Sequence, residues 1–321
     1  MKLVKVIKNW DVPDLLRQTP GHKGVWGDIQ FTVDDTRDCD YTIVLNYSSR
    51  EVSVHCPSDH VWVLMQEPPN EYFRFMHKAD DFYGRVFTQD VSLTGPRYVM
   101  SHPAVPWHLD RDYDYLTSCS VPDKTKHLSW VTSDKCLFDG HRARMRFLDR
   151  ILPQVEFDLF GRGFGPLDDK WDGLAPYRYS LAIENYQCPH YWTEKLADCY
   201  LSWSMPIYYG CPNITDYFPP ESLVLIDIDD PEVGKQIQSI AASDLWKKRR
   251  DAVAHARRLV LDRYQFFPHV SSLISQYECR LQGRAPVRQH TNIPRQSAPT
   301  PPLFTRANRV FKSICWKMMR M

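Results

Sequence analysis

Short apolar runs separated by polar, turn-prone segments set the rhythm of this chain. Residues 3–7 (Leu-Val-Lys-Val-Ile) alternate like a first strand, and residues 41–45 and 61–65 are apolar over about five positions each. That is the length and near-continuous hydrophobicity of strands buried on both faces of a parallel sheet. Residues 85–88 read as extended, and 12–17 and 71–77 as short helices. A second series follows. Residues 127–132, 155–160, 181–184, 207–209 and 223–226 read as strands, with helices over 142–152 and 193–203. Residues 231–278 read as largely helical. The many charges of 247–263 suit a solvated face, and 264–275 are expected to pack back across the first half of the chain.

Strands alternating with helices predict an α/β fold. The aspartate-rich stretch 110–127 reads as a linker. It divides the chain into a first Rossmann-like unit (1–115) and a second (116–280). Residues 282–302 contain five prolines among Gln, Ser and Thr, which predicts a flexible spacer over 281–302. Residues 303–321 remain as a tail.

Composition narrows the class. With 321 residues, 43% hydrophobic and 13% aromatic, the chain can bury the cores of two domains. No apolar run approaches the roughly twenty residues of a membrane helix. The start lacks the pattern of a signal peptide. The nine cysteines include no C-x-x-C pair, so a reduced, cytoplasmic chain is expected. The twelve histidines form no H-x-x-x-H arrangement, and no metal site is expected. Without a G-x-G-x-x-G turn, dinucleotide binding is not expected, nor is nucleic acid a partner.

Charge is unevenly spread. Residues 282–321 hold eight Arg or Lys and no acid, whereas the rest holds 32 basic and 39 acidic residues. On a helical wheel, Phe304, Ala307, Val310, Phe311, Ile314, Cys315 and Met318 share one side of the tail. Arg306, Arg309, Lys312, Lys317 and Arg320 share the other. A cationic face opposite an apolar one predicts a helix that lies on an anionic membrane surface.

The densest chemistry lies in Tyr179-Ser180-Leu181-Ala182-Ile183-Glu184-Asn185, then Tyr191-Trp192-Thr193-Glu194-Lys195-Leu196, then Pro206-Ile207-Tyr208-Tyr209-Gly210. The spacing reads as strand, loop, helix, strand. Free N–H groups and the positive dipole end of a helix start suit a phosphate, and Lys195 adds a formal charge. The carboxyl end of a strand is where open α/β sheets bind nucleotides.

This block resembles the donor-binding signature of the α-1,3/4-fucosyltransferases, glycosyltransferase family 10. The family pattern runs aromatic-x-(L/I)-x-(F/I)-E-N, a loop, Y-(V/W)-T-E-K-(L/I), a helix, and P-(I/V)-Y-(Y/W)-G. The resemblance implies two Rossmann-like domains facing a cleft, the B-type glycosyltransferase fold. It implies inverting transfer of L-fucose from GDP-β-L-fucose to a glycan hydroxyl, without a metal or other cofactor. Lys195 is then expected on the phosphates, Glu194 on sugar hydroxyls, and Tyr191 and Asn185 around nucleotide and fucose. Glu184 either joins them or organises the loop.

Glu67 stands in Gln66-Glu67-Pro68-Pro69, just after a buried strand, where a carboxylate can project into a cleft and prolines stiffen the loop. The segment resembles the family's E-x-P, which implies that Glu67 is the general base. Pro68 departs from the small residue usual there, and Glu71 is the nearby rival. Aligning the aromatic Phe147 places the family's pyrophosphate-binding arginine at Arg144, with Arg142 and then Arg146 as alternatives. Asp227, Asp229 and Asp230 offer a D-x-D pattern, which this family does not use. A start at the catalytic domains suggests a bacterial type. Its acceptors would be surface-glycan precursors such as those of lipopolysaccharide, carrying N-acetylglucosamine or galactose. Another GDP-sugar donor, or an inactive glycan-binding protein, are the alternative readings.

Overall fold

Tyr41–Leu45 and Val61–Leu64 are buried at every position, so both faces of their sheet must be covered. The computed structural model describes residues 1–281 and 287–297. Its strands are β1 (Lys2–Ile7), β2 (Val25–Trp26), β3 (Ile29–Thr32), β4 (Tyr41–Leu45), β5 (Val52–Pro57), β6 (Val61–Leu64), β7 (Arg85–Thr88), β8 (Tyr98–Met100), β9 (Lys126–Val131), β10 (Asp158–Phe160), β11 (Tyr177–Ile183), β12 (Met205–Tyr209), β13 (Val224–Leu225) and β14 (Arg288–Ile293). The helices are α1 (Arg74–Lys78), α2 (Tyr113–Ser118), α3 (Asp139–Ile151), α4 (Glu194–Leu201), α5 (Val233–Ala241), α6 (Leu245–Lys248), α7 (Arg250–Leu259) and α8 (Phe266–Leu281).

The first sheet has the order β2-β3-β1-β4-β6-β7-β8 and is parallel except for the β2–β3 pair. Successive side chains alternate between its faces. Ile43, Leu45, Trp62 and Leu64 meet Phe266, Phe267, Val270, Ile274 and Tyr277 of α8. Val44, Val61, Val63 and Met65 meet Val52, Val54, Met76 and Ile293 on the other side. The second sheet, β10-β9-β11-β12-β13, is parallel throughout and holds the largest core. This is the α/β fold of two parallel sheets expected from the sequence.

The two units are joined through packing as well as chain. α8 follows the second unit in sequence yet covers the first sheet, as expected for residues 264–275. Gln265 starts it, its side-chain oxygen accepting from Phe267 N–H at 3.1 Å while its amide donates to the Gln18 carbonyl at 3.1 Å. His102 of the first unit stacks on Trp192 of the second at 4.9 Å and bonds the Tyr264 carbonyl at 2.8 Å.

Three expectations differ in detail. Residues 12–17 form no α-helix, and only Leu16–Gln18 makes a 3-10 turn; the residue before a proline is pushed out of helical geometry, and Val12 precedes Pro13. The polar 110–127 stretch is docked rather than a free linker. Leu109 and Leu116 are fully buried in the second core, Asp112 caps α2 through Tyr115 N–H at 2.7 Å, and Asp110 pairs with Arg17. The stretch read as a spacer contains β14, antiparallel to β5 from Arg288↔Pro57 to Ile293↔Val52. Its Arg-Gln-His-Thr-Asn-Ile run contains no proline or glycine, so every residue keeps an N–H for the ladder. The expected basic tail over 303–321 lies outside the described residues. No helix among the described residues is long and apolar enough to cross a membrane.

Phe267 sits edge-on to Phe31 at 5.0 Å and to Phe266 at 5.2 Å, fully buried. Phe267→Ala is expected to cost about 3–5 kcal/mol, read as a lowered urea midpoint at unchanged slope.

Candidate active site

The carboxyl ends of both sheets meet across one cavity. Asn46 follows β4 and Glu67 follows β6. From the other unit, Asn185 follows β11, Tyr191 precedes α4, and Glu194 and Lys195 open it. All six line a space of about 600 Å³. The base candidate and four of the donor-side residues named from the sequence are thus brought together.

A buried carboxylate holds the donor side in place. Glu184 has a fully buried side chain. It accepts from Thr193 N–H at 2.8 Å and from the Thr193 hydroxyl at 2.9 Å. Thr193 in turn caps α4 by accepting from Lys195 N–H at 3.4 Å. Lys195 Nζ lies 3.3 Å from both Glu184 Oε2 and Glu194 Oε1. Gly210, the end of the Pro-Ile-Tyr-Tyr-Gly run, leaves this carboxylate its space, since a Cβ there would lie 2.5 Å from Glu184 Cγ. Glu184 lines neither this cavity nor its neighbour. Its place is beneath the site, organising the loop.

A second cavity of about 270 Å³ adjoins the first through His108, Asn185, Glu194 and Lys195, and adds Arg144, Lys170 and Lys135. Arg144 is 3% exposed. It donates to Asn185 Oδ1 at 2.6 Å and to the Ser133 carbonyl at 2.9 Å. Its Nε is buried without a hydrogen-bond partner. Burial pulls its pKa down to about 10, with Glu184 and Glu194 opposing from a distance. A desolvated guanidinium of this kind is costly until an anion joins it. Burial works against the charge of Glu194, but Lys195, His108 and Lys170 hold it well below the usual carboxylate range. Lys170 is itself fixed by Asp198 at 2.6 Å. The cavity can therefore take a polyanion beside Arg144 and present an ionised acceptor, Glu194, to hydroxyls.

The rival residues separate spatially. Arg142 pairs with Asp139 and lines, with Glu71 and Tyr186, a third space of about 240 Å³ on the flank. Asp229 N–H bonds Asp227 Oδ1 at 2.9 Å in a turn that lies outside these three cavities. The Gly161-Arg162-Gly163 turn packs against the Thr132 backbone instead of the cavity. Lys135, Lys170, His108 and Asn46 were not legible in the sequence. Only the crossing of loops brings them here, and no local motif marks them.

α3 enters the site at very close range. A Cβ on Gly140, in its first turn, would lie 1.6 Å from the Asn185 carbonyl oxygen. Gly140→Ala is expected to push α3, and with it Arg144, away from Asn185. The cost is about 1–3 kcal/mol or more in chemical denaturation.

Part of the chain is similar in sequence to known proteins. Residues 121–242 match the family described as glycosyltransferase family 10 (fucosyltransferase) C-term. A 4-galactosyl-N-acetylglucosaminide 3-alpha-L-fucosyltransferase of Pan troglodytes is 29% identical over 175 residues, covering 52% of this chain and 45% of that protein. A 3-galactosyl-N-acetylglucosaminide 4-alpha-L-fucosyltransferase of Homo sapiens is 29% identical over the same length and shares. The chain thus spans less than half the length of these curated relatives. A solved alpha1,3-fucosyltransferase with GDP aligns over 83% of this chain and 92% of its own, at 16% identity and a TM-score of 0.46. The two-sheet architecture rests on its own strand order, independent of that weak likeness. The matched segment, residues 121–242, is the part of the chain that carries Arg144, Asn185, Tyr191, Glu194 and Lys195.

Proposed function

We propose that the chain is an inverting fucosyltransferase that moves L-fucose from GDP-β-L-fucose to a hydroxyl of an N-acetylglucosamine- or galactose-containing glycan. One observation carries the reading: Glu67 of the first unit lines the same cavity as Asn185, Tyr191, Glu194 and Lys195 of the family-matched segment. The relatives support the substrate class, since their names describe fucosyl transfer to galactosyl-N-acetylglucosaminides.

In this reading the acceptor hydroxyl gives its proton to the Glu67 carboxylate while its oxygen bonds to C1 of fucose. The bond from C1 to the β-phosphate oxygen breaks, and its electron pair leaves with GDP. The growing charge on the diphosphate is stabilised by Arg144, Lys195 and the N-terminus of α4. These groups supply the charge compensation, and no metal is required. Glu194 orients the sugar hydroxyls. The basic 303–321 tail, read from sequence alone, would hold the enzyme at an anionic membrane face.

Transfer of fucose from GDP-fucose to an array of glycans tests the reading, and Glu67→Gln is its sharpest variant. Turnover should fall by about 10²–10⁴-fold with GDP binding retained; near-normal turnover would remove Glu67 from the role. The pH profile adds a second check. Desolvation raises the Glu67 carboxyl above its ordinary 4.5, with Lys195 and Lys135 opposing and Glu194 adding to the rise. The base works only when ionised. Activity should therefore fall as pH drops through this raised value, and Glu67→Gln should lose that limb.

Calorimetry with GDP separates the arginines. Arg144→Ala should lose roughly 1.5–3 kcal/mol of binding, and Arg142→Ala should lose little. The reverse pattern would move the phosphate role to Arg142.

A further inference from the structure

The loop that carries Glu67 is gripped through its backbone from both sides. Asn46 holds the left-handed conformation at φ 62°, which asparagine tolerates better than most residues. Its Oδ1 accepts from Gln66 N–H at 2.7 Å and from Glu67 N–H at 3.2 Å. On the other side, His77 of α1 places Nε2 at 2.9 Å from the Glu67 carbonyl. Pro68 and Pro69 follow and offer no N–H of their own.

Hydrogen-bond chemistry fixes the direction of this contact. A carbonyl oxygen can only accept, so His77 Nε2 carries the proton. Nδ1 lies 2.6 Å from the Thr88 hydroxyl. That hydroxyl already accepts from Asp90 N–H at 3.0 Å, which leaves its own proton for Nδ1 of a neutral ring. His77 is fully buried, and desolvation lowers its pKa to about 4. The chain of donors therefore runs from the Asp90 amide through Thr88 and His77 to Glu67, on a ring that keeps one tautomer.

We propose that His77 is a positioning residue for the reaction: held as the Nε2–H tautomer by Thr88, it anchors the Glu67 carbonyl and so aims the Glu67 carboxylate into the cavity. The proposal rests on the reading of Glu67 as general base. His77 touches no reacting atom. It is absent from the residues lining the cavity, whereas Asn46, Glu67 and Met76 are present. Its effect is felt as misplacement of the base, and displacement of about 1 Å can cost roughly 10²-fold in rate.

Three variants of the full-length protein test this. His77→Met removes the donor with similar bulk. It should lower kcat roughly 10- to 100-fold while leaving GDP affinity unchanged. His77→Gln keeps an N–H able to reach the Glu67 carbonyl and should recover most of the loss. Thr88→Val removes the hydroxyl that sets the tautomer and should fall between them. Wild-type kcat in His77→Met would overturn the proposal. Equal losses in His77→Met and His77→Gln, with thermal stability falling in step, would also overturn it by showing a packing role alone. The ¹⁵N shifts of the His77 imidazole report the tautomer whatever reaction the protein performs. A proton on Nδ1 would overturn the clamp itself, whereas full activity in Glu67→Gln with the Nε2–H tautomer intact would overturn the base assignment instead.

Discussion

A single buried carboxylate, Glu184, organises the second unit's side of the cavity. A charge with no solvent exposure survives only when its oxygens are fully engaged. Here Thr193 supplies an N–H and a hydroxyl, and Lys195 supplies the counter-charge at 3.3 Å. Those contacts tie the end of β11 to the first turn of α4. The same tie sets Asn185 against Arg144 on one side and Glu194 against Lys195 on the other. Removing one partner of such a buried pair leaves an uncompensated charge and costs several kcal/mol, about 3–5. The site's geometry and the local stability of the second unit thus depend on one interaction.

The first unit's side solves a different problem with neutral groups. Glu67 is exposed at the edge of the cavity, while Pro68 and Pro69 after it are buried. Its backbone is held by Asn46 and His77, neither of which adds a charge beside the carboxylate. Polar residues fix the loop, while desolvation by the cleft and the charges across it set the carboxyl's affinity for a proton. Position and proton affinity are therefore controlled by separate sets of residues.

The two halves can cooperate only if their relative placement is held. α8 returns to cover the first sheet with Phe266, Phe267, Val270, Ile274 and Tyr277. His102 stacks on Trp192 and bonds the Tyr264 carbonyl. The first of these lies next to the cavity in the chain, since Trp192 sits between Tyr191 and Thr193, which line it, while the Tyr264 turn leads into α8. The aromatic contact between units is thus made by a residue of the loop that leads into α4.

The alternation of short apolar runs was enough to show two α/β units, because buried parallel strands need apolar residues on both faces and few other structures do. The Glu184–Asn185, Thr193–Glu194–Lys195 and Pro206–Gly210 spacing was legible as a strand end followed by a helix start, since those elements impose the distances locally. The sequence also left Glu184 open between ligand contact and loop support; only its burial beneath Thr193 places it under the loop. Arg142 and Arg144 are two residues apart on one helix, and no pattern separates them. The packing of Gly140 on Asn185 turns Arg144 into the cavity and leaves Arg142 with Asp139. Lys170, His108, Asn46 and the His77–Thr88 chain come from elements far apart in sequence. Their roles exist only once both sheets present their carboxyl ends to the same space, because hydrogen bonds and desolvation depend on distances that tertiary packing alone sets.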